Sequence, residues 1–128
     1  MQASRSRRSG DGGDTAGADA LTAVLELFAS GALADAAGRF AADATYQEAG
    51  QAPIRGRDAI RARFDGFAAS GVTWTFTVDE VIRNGLSACV VYRFAVFGGA
   101  SESQRERAGC AVVRCESGHI VAWREYQG

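Results

Sequence analysis

Lysine is missing from this 128-residue chain, and all 14 of its basic residues are arginine. Together with abundant alanine and glycine, this reads as base-composition bias in the genome and not as chemistry. Basic and acidic residues nearly cancel, for a net charge of −1. With no basic stripe, nucleic acid and anionic membrane surfaces are not expected as partners. No apolar run approaches the roughly 20 residues of a membrane span. Arg5, Arg7 and Arg8 lead into glycines and acids and not into an apolar segment, so no secretory signal is read and a cytoplasmic protein is expected. Cysteine is scarce: Cys89, Cys110 and Cys115 make an odd count with no CxxC pair, which argues against a disulfide framework. Their spacing to His119, the lone histidine, fits no zinc pattern, so no metal is expected.

What is present is enough for one folded unit. Hydrophobic residues make up 47 % of the chain, which is sufficient for one core. Residues 1–18 are Ser, Gly, Arg and Asp with almost nothing to bury and read as a disordered tail, leaving 19–128 as the domain. Leu21, Val24, Leu25 and Phe28 recur at helical spacing behind an Asp19 cap, and Gly31 can end that helix. Leu33, Ala36, Ala37 and Phe40 suggest a second, shorter helix. ATYQEA reads as a strand with Ala44, Tyr46 and Glu48 on one face. The only proline, Pro53, lies in the loop that follows. RDAIRARFDGFAAS is a helix with an Ile60, Phe64 and Phe67 stripe and an Arg61–Asp65 pair on its wet side.

The remainder alternates as β-structure. VTWTFTVDEVI sets Trp74, Phe76 and Val78 against Thr73, Thr75 and Thr77, and Asn84-Gly85 signals a hairpin. SACVVYRFAVF is apolar on both faces apart from Arg93. RERAGCAVVRC, a Ser117-Gly118 turn and IVAWREYQG complete four antiparallel strands. In the last of these, strict alternation puts Val121, Trp123 and Glu125 on one face, so a carboxylate follows two apolar neighbours. The order of elements is α+β, with helices against one face of a curved sheet.

RFAADATYQEAG, then PIRGRDAIRARF, then SGHIVAWREY resemble the SnoaL-like group of the nuclear-transport-factor-2-like superfamily, over about residues 19–127. The segment from Phe40 to Phe64 is the most specific part. The resemblance implies a cone: a strongly curved antiparallel sheet wrapped around N-terminal helices, with an internal pocket at the open end. It also implies a homodimer through the outer sheet face, which the doubly apolar SACVVYRFAVF fits. The fold hosts isomerases, cyclases, dehydratases, epoxide hydrolases and proteins without activity.

The resemblance also points to residues. WREY is similar to the WRDY-type ending of the limonene-epoxide-hydrolase-like branch, which puts Glu125 at its catalytic acid position. In an apolar pocket, desolvation raises such a carboxyl toward proton transfer near neutral pH. The same branch carries an Arg-x-Asp pair where this chain reads Arg93-Phe94-Ala95, so Arg93 is expected to orient Glu125 or hold an oxyanion, without the second carboxylate. Glu48 falls on the catalytic acid of the steroid-isomerase branch, but Val24 and Cys110 stand where that branch has its oxyanion donors. Tyr46, Trp74, Phe76 and Trp123 are expected to wall a pocket for a small, mostly apolar, polyketide-like compound.

The expected function is cofactor-independent acid–base chemistry on a carbonyl compound: an isomerase, aldol-type cyclase or dehydratase. Epoxide opening is the alternative within enzymes. A dimeric ligand-binding domain without catalysis is the alternative outside them. Convergence of Glu125, Arg93 and Glu48 in one pocket favours the enzyme. Arg93 outside and Glu48 in solvent favour the binding domain.

Overall fold

A computed structural model of the chain describes residues 12–98 and 105–127. Helices α1 (Gly12–Ser30) and α2 (Leu33–Ala37) lead into strands β1 (Phe40–Gln47) and β2 (Ile54–Arg55). Helix α3 (Arg57–Ala68) precedes β3 (Thr73–Asn84), β4 (Ser87–Phe97), β5 (Arg105–Glu116) and β6 (His119–Gln127). Helix α1 begins at Gly12, ahead of the expected Asp19 cap. Of the expected tail, residues 1–11 lie outside the described residues.

The α1 stripe goes where its spacing directs it: Leu21, Val24, Leu25 and Phe28 are all buried. The helix stops at Gly31, whose φ of 85° costs a glycine little. There the amides of Gly31 and Ala32 donate to the carbonyls of Phe28 and Leu27 at 3.2 and 2.9 Å, satisfying groups the helix end would otherwise orphan. Phe40, expected at the end of the second helix, opens β1 instead and is fully buried.

The six strands form one curved, open sheet in the order β2-β1-β6-β5-β4-β3. Strands β3 to β6 pair antiparallel, as expected. Strand β1 pairs parallel with β6, so the sheet is mixed and not antiparallel throughout. The β3–β4 turn is centred on Gly85 and Leu86, since Asn84 already pairs with Ser87. Only the first of these two central residues has positive φ, the pattern of a type II′ turn.

Two bulges set which side chains face the helices. In β3 the register shifts between Val78 and Glu80, leaving Asp79 without a partner in β4. Val81 thus pairs with Val90, while Val78 pairs with Tyr92, and all four face the core side. In β6 the register shifts opposite Arg114 and Cys115, leaving Val121 as the extra residue. Ile120 and Trp123 can therefore both be buried although strict alternation would separate them.

The core gathers on Phe28. Its ring makes edge contacts with Phe64, Phe76 and Trp123 at centroid distances of 5.7, 5.5 and 5.4 Å, a geometry favoured by aromatic quadrupoles. All three cysteines are free. Among the described residues, no helix is long and apolar enough to cross a membrane, and no group of three or more His, Cys, Asp or Glu could hold a metal.

Candidate active site

A cavity of about 470 Å³ lies between the helices and the inner face of the sheet. Aromatic rings from five elements form much of its wall, among them Phe28, Tyr46, Phe67, Phe76 and Phe94. Two carboxyl groups, Glu48 and Glu125, reach the same cavity.

Glu125 arrives there because the Val121 bulge turns Trp123, Glu125 and Gln127 inward together. The indole Nε1–H of Trp123 donates to Glu125 Oε2 at 2.9 Å. Burial pushes the Glu125 carboxyl above its ordinary value, and the charge of Glu48 adds to the rise. The Trp123 hydrogen bond and contacts from the Ala49 backbone and Tyr92 oppose it without cancelling it.

Glu48 follows Tyr46 off the end of β1, on the same inward face as Ala44. Arg63 of α3 grips it with two bonds, Nη2 to Oε1 at 2.8 Å and Nε to Oε2 at 3.1 Å, the planar fork that guanidinium offers a carboxylate. The Tyr46 hydroxyl donates to Oε2 at 3.3 Å. Three donors thus occupy a group that can accept about four bonds. Burial, with the charges of Glu125 and Glu48, holds the Tyr46 phenol well above its ordinary value, so it remains a donor.

Arg93 is not part of this site. It lies on the outer face of β4, where it makes a bidentate pair with Asp79, Nη2 to Oδ1 at 2.9 Å and Nε to Oδ2 at 3.1 Å. The reason is the alternation of β4 itself: it pairs with β5 without a break, so the parity that buries Ala88, Val90 and Tyr92 turns Arg93 outward, and the β3 bulge brings Val78 round to meet Tyr92. The expected role of Arg93 beside Glu125 is therefore corrected. Arg63 is the guanidinium that binds a cavity carboxylate, and it belongs to Glu48. Ala95 shares the outer face with Arg93, so its lack of a carboxylate takes nothing from the cavity.

Tyr46, Trp74 and Phe76 line the cavity. Trp123 does not: at 1 % exposure it belongs to the core, against Phe28 and Tyr46, and meets the cavity only through its bond to Glu125. His119 is exposed at the β5–β6 turn, with Nδ1 3.2 Å from the Ser117 carbonyl oxygen. Of the three residues expected to converge, two do so.

The structure adds residues that sequence reasoning passed over. Arg63 stands one turn of α3 before Phe67, a spacing that put it beside the apolar stripe. Arg107 donates to Gln127 Oε1 at 3.0 Å, and both border the cavity. Tyr92 faces inward, stacked on Phe76 at 5.3 Å.

Residues 21–123 match the family model of the SnoaL-like domain. No curated protein matches the chain at the level of sequence. Among solved structures, a limonene-epoxide-hydrolase-like enzyme of M. tuberculosis superposes with a TM-score of 0.76 at 20 % identity, covering 90 % of this chain and 84 % of that one. SalBIII, an epoxide hydrolase/cyclase-like enzyme of pyran ring formation in the polyether salinomycin, gives 0.76 at 17 % identity, covering 89 % and 92 %. A candidate polyketide cyclase from Xanthomonas campestris gives 0.73 at 15 %, covering 90 % and 92 %. At these identities the likeness is one of fold.

Proposed function

The chain belongs to the SnoaL-like domain family, and from that membership and the two-carboxyl cavity we propose an acid–base enzyme for a small, mostly apolar, polyketide-like compound bearing a carbonyl or an epoxide. One observation carries the reading: Glu125 sits in an aromatic cavity with its carboxyl raised by burial, while Glu48 beside it is paired with a guanidinium. Unlike environments for two neighbouring carboxyls separate an acid from a base.

On an enolisable ketone, the Glu48 carboxylate takes an α-proton while the Glu125 carboxyl gives its proton to the carbonyl oxygen. Glu48 then returns its proton to carbon, at the same or a conjugated position, as the enol O–H gives its proton back to Glu125. On an epoxide, Glu125 protonates the ring oxygen as the C–O bond breaks, and water or an internal hydroxyl attacks carbon and loses its proton to Glu48. The epoxide reading has no counterpart of the Arg-x-Asp pair in the cavity, because Arg93 and Ala95 both face away from it. Neither route calls on a bound cofactor.

A homodimer through the outer sheet face fits this reading. Ile82 and Val112 are 54 % and 47 % exposed there, in one row across β3 and β5 with Cys89 between them. Arg93 on the outer face counts toward the ligand-binding alternative, and Glu48, which lies in the cavity under Arg63 and not in solvent, counts against it.

The test is α-proton exchange of 1-indanone in D2O and hydrolysis of cyclohexene oxide, followed by NMR. The protein accelerates at least one of them, and Glu125→Gln lowers that rate by about 10²–10⁴-fold. Equal rates in wild type and variant overturn the reading.

A further inference from the structure

We propose that the Tyr92 hydroxyl and the Glu125 carboxyl together form a cradle for one acceptor oxygen of the substrate, with Tyr92 as a residue that touches the substrate directly. The observation behind this is an unpartnered group. Tyr92 is 2 % exposed, and its Oη is the one buried side-chain polar atom among the described residues that has no hydrogen-bond partner. Buried hydroxyls are nearly always bonded, so one left open on a cavity wall marks the place of an absent acceptor.

Its surroundings fix where that acceptor sits. The ring is clamped by stacking on Phe76, and Phe76 and Tyr92 both border the cavity. The hydroxyl lies close enough to Glu125 and Gln127 for each to bear on its acidity, yet it is in hydrogen-bond geometry with neither. Behind it is Gly109 of β5, where an added Cβ would stand 3.2 Å from Oη and 2.6 Å from the Tyr126 carbonyl oxygen. The glycine leaves the hydroxyl its room, and the strand offers it no side-chain acceptor at that position. Burial holds the phenol in its protonated form, so it acts as a donor.

In its neutral form the Glu125 carboxyl joins the open hydroxyl as a second O–H donor beside it. The chemistry that answers them is a carbonyl or epoxide oxygen, whose negative charge grows during enolisation and during ring opening. Hydrocarbon substrates without such an oxygen would leave both donors unmet. The inference thus rests on the acid–base reading of Glu125 and specifies how the substrate is oriented under it.

The experiment compares 1-indanone with indane, which share a ring skeleton and differ in one oxygen, binding to the full chain at pH 6 by NMR titration. Wild type binds the ketone more tightly than the hydrocarbon. Tyr92→Phe weakens the ketone about 3–10-fold and leaves indane unchanged. Because the substitution deletes only a partnerless oxygen, the melting temperature stays level or rises. A ketone affinity that moves less than twofold, an equal loss for both probes, absence of ketone binding at millimolar concentration, or a fall in melting temperature each overturns the assignment. The two readings fail separately, since α-proton exchange in Glu125→Gln reports on the proton carrier and the ketone-to-indane ratio in Tyr92→Phe reports on the hydroxyl.

Discussion

Trp123 holds Glu125 from two residues earlier on the same strand, through an indole N–H bond of 2.9 Å along the inner face of β6. The indole ring is sunk in the core against Phe28, so it is a rigid donor, and the carboxyl it holds is pushed by burial toward its neutral form.

Trp123→Phe keeps an aromatic ring in that site and removes the donor. It costs about 1–3 kcal/mol of stability, from lost volume and an unmet acceptor. Because the Trp123 bond favours the charged carboxyl, its loss moves the Glu125 titration midpoint higher still. Carboxyl-selective NMR titration checks the direction, and an unmoved midpoint would contradict the contact.

Glu125 also makes stability depend on pH. Its folded-state value lies above its ordinary value of 4.5, so the folded protein binds the proton more strongly than the unfolded chain. Stability on this account is full below about pH 4.5 and falls as pH rises through the folded-state midpoint. Glu125→Gln therefore melts higher than wild type at pH 8, with the gap closing toward pH 4. Urea unfolding at the two pH values measures it.

Glu48→Gln removes a negative charge that raises Glu125, and lowers the Glu125 midpoint toward its ordinary value. Arg63→Gln leaves that charge without its counterion and moves the midpoint the other way. Because Arg63 is about 44 % exposed at its side chain, its loss costs under about 1 kcal/mol in unfolding experiments. A pair of opposite shifts is the signature to look for.

Arg93→Ala leaves both the Glu125 midpoint and turnover where they were, because its partner is Asp79 on the far side of the sheet. A rise in the Glu125 midpoint on removing Arg93 would put the two in contact and contradict the outward placement.

Much of this architecture is legible in the chain. The stripe of Leu21, Val24, Leu25 and Phe28, the Gly31 stop, the Ala44–Tyr46–Glu48 face and the four-strand β succession all rest on local periodicity, which sequence displays directly. The parallel β1–β6 pairing rests on contacts between distant segments and does not show in any local pattern. The Trp123 and Glu125 face of β6 was legible, whereas β4, apolar on both faces, left its inward side open, and the bulge in β3 was hidden. If the Asn84–Ser87 register ran unbroken, Val78 would meet Arg93 on the outer face, whereas one unpaired residue sets it opposite Tyr92 inside. A bulge shifts parity without altering composition, so alternation alone cannot reveal it. Parity left Tyr92 and Phe94 as able to face in as Arg93, and in an apolar strand the Tyr92 hydroxyl gains meaning only once its neighbours are known.

Position 79 is thus constrained in length far more than in identity. The exposed side chain there can be exchanged at small cost, since all it holds is an exposed pair with Arg93. Deleting the residue is another matter. Because β4 is held in place by its unbroken pairing with β5, the N-terminal half of β3 would have to turn Trp74, Phe76 and Val78 out of the interior. One codon lost from a solvent-facing site would rewrite the chemical lining of the interior, a change that no single substitution within β4 could produce.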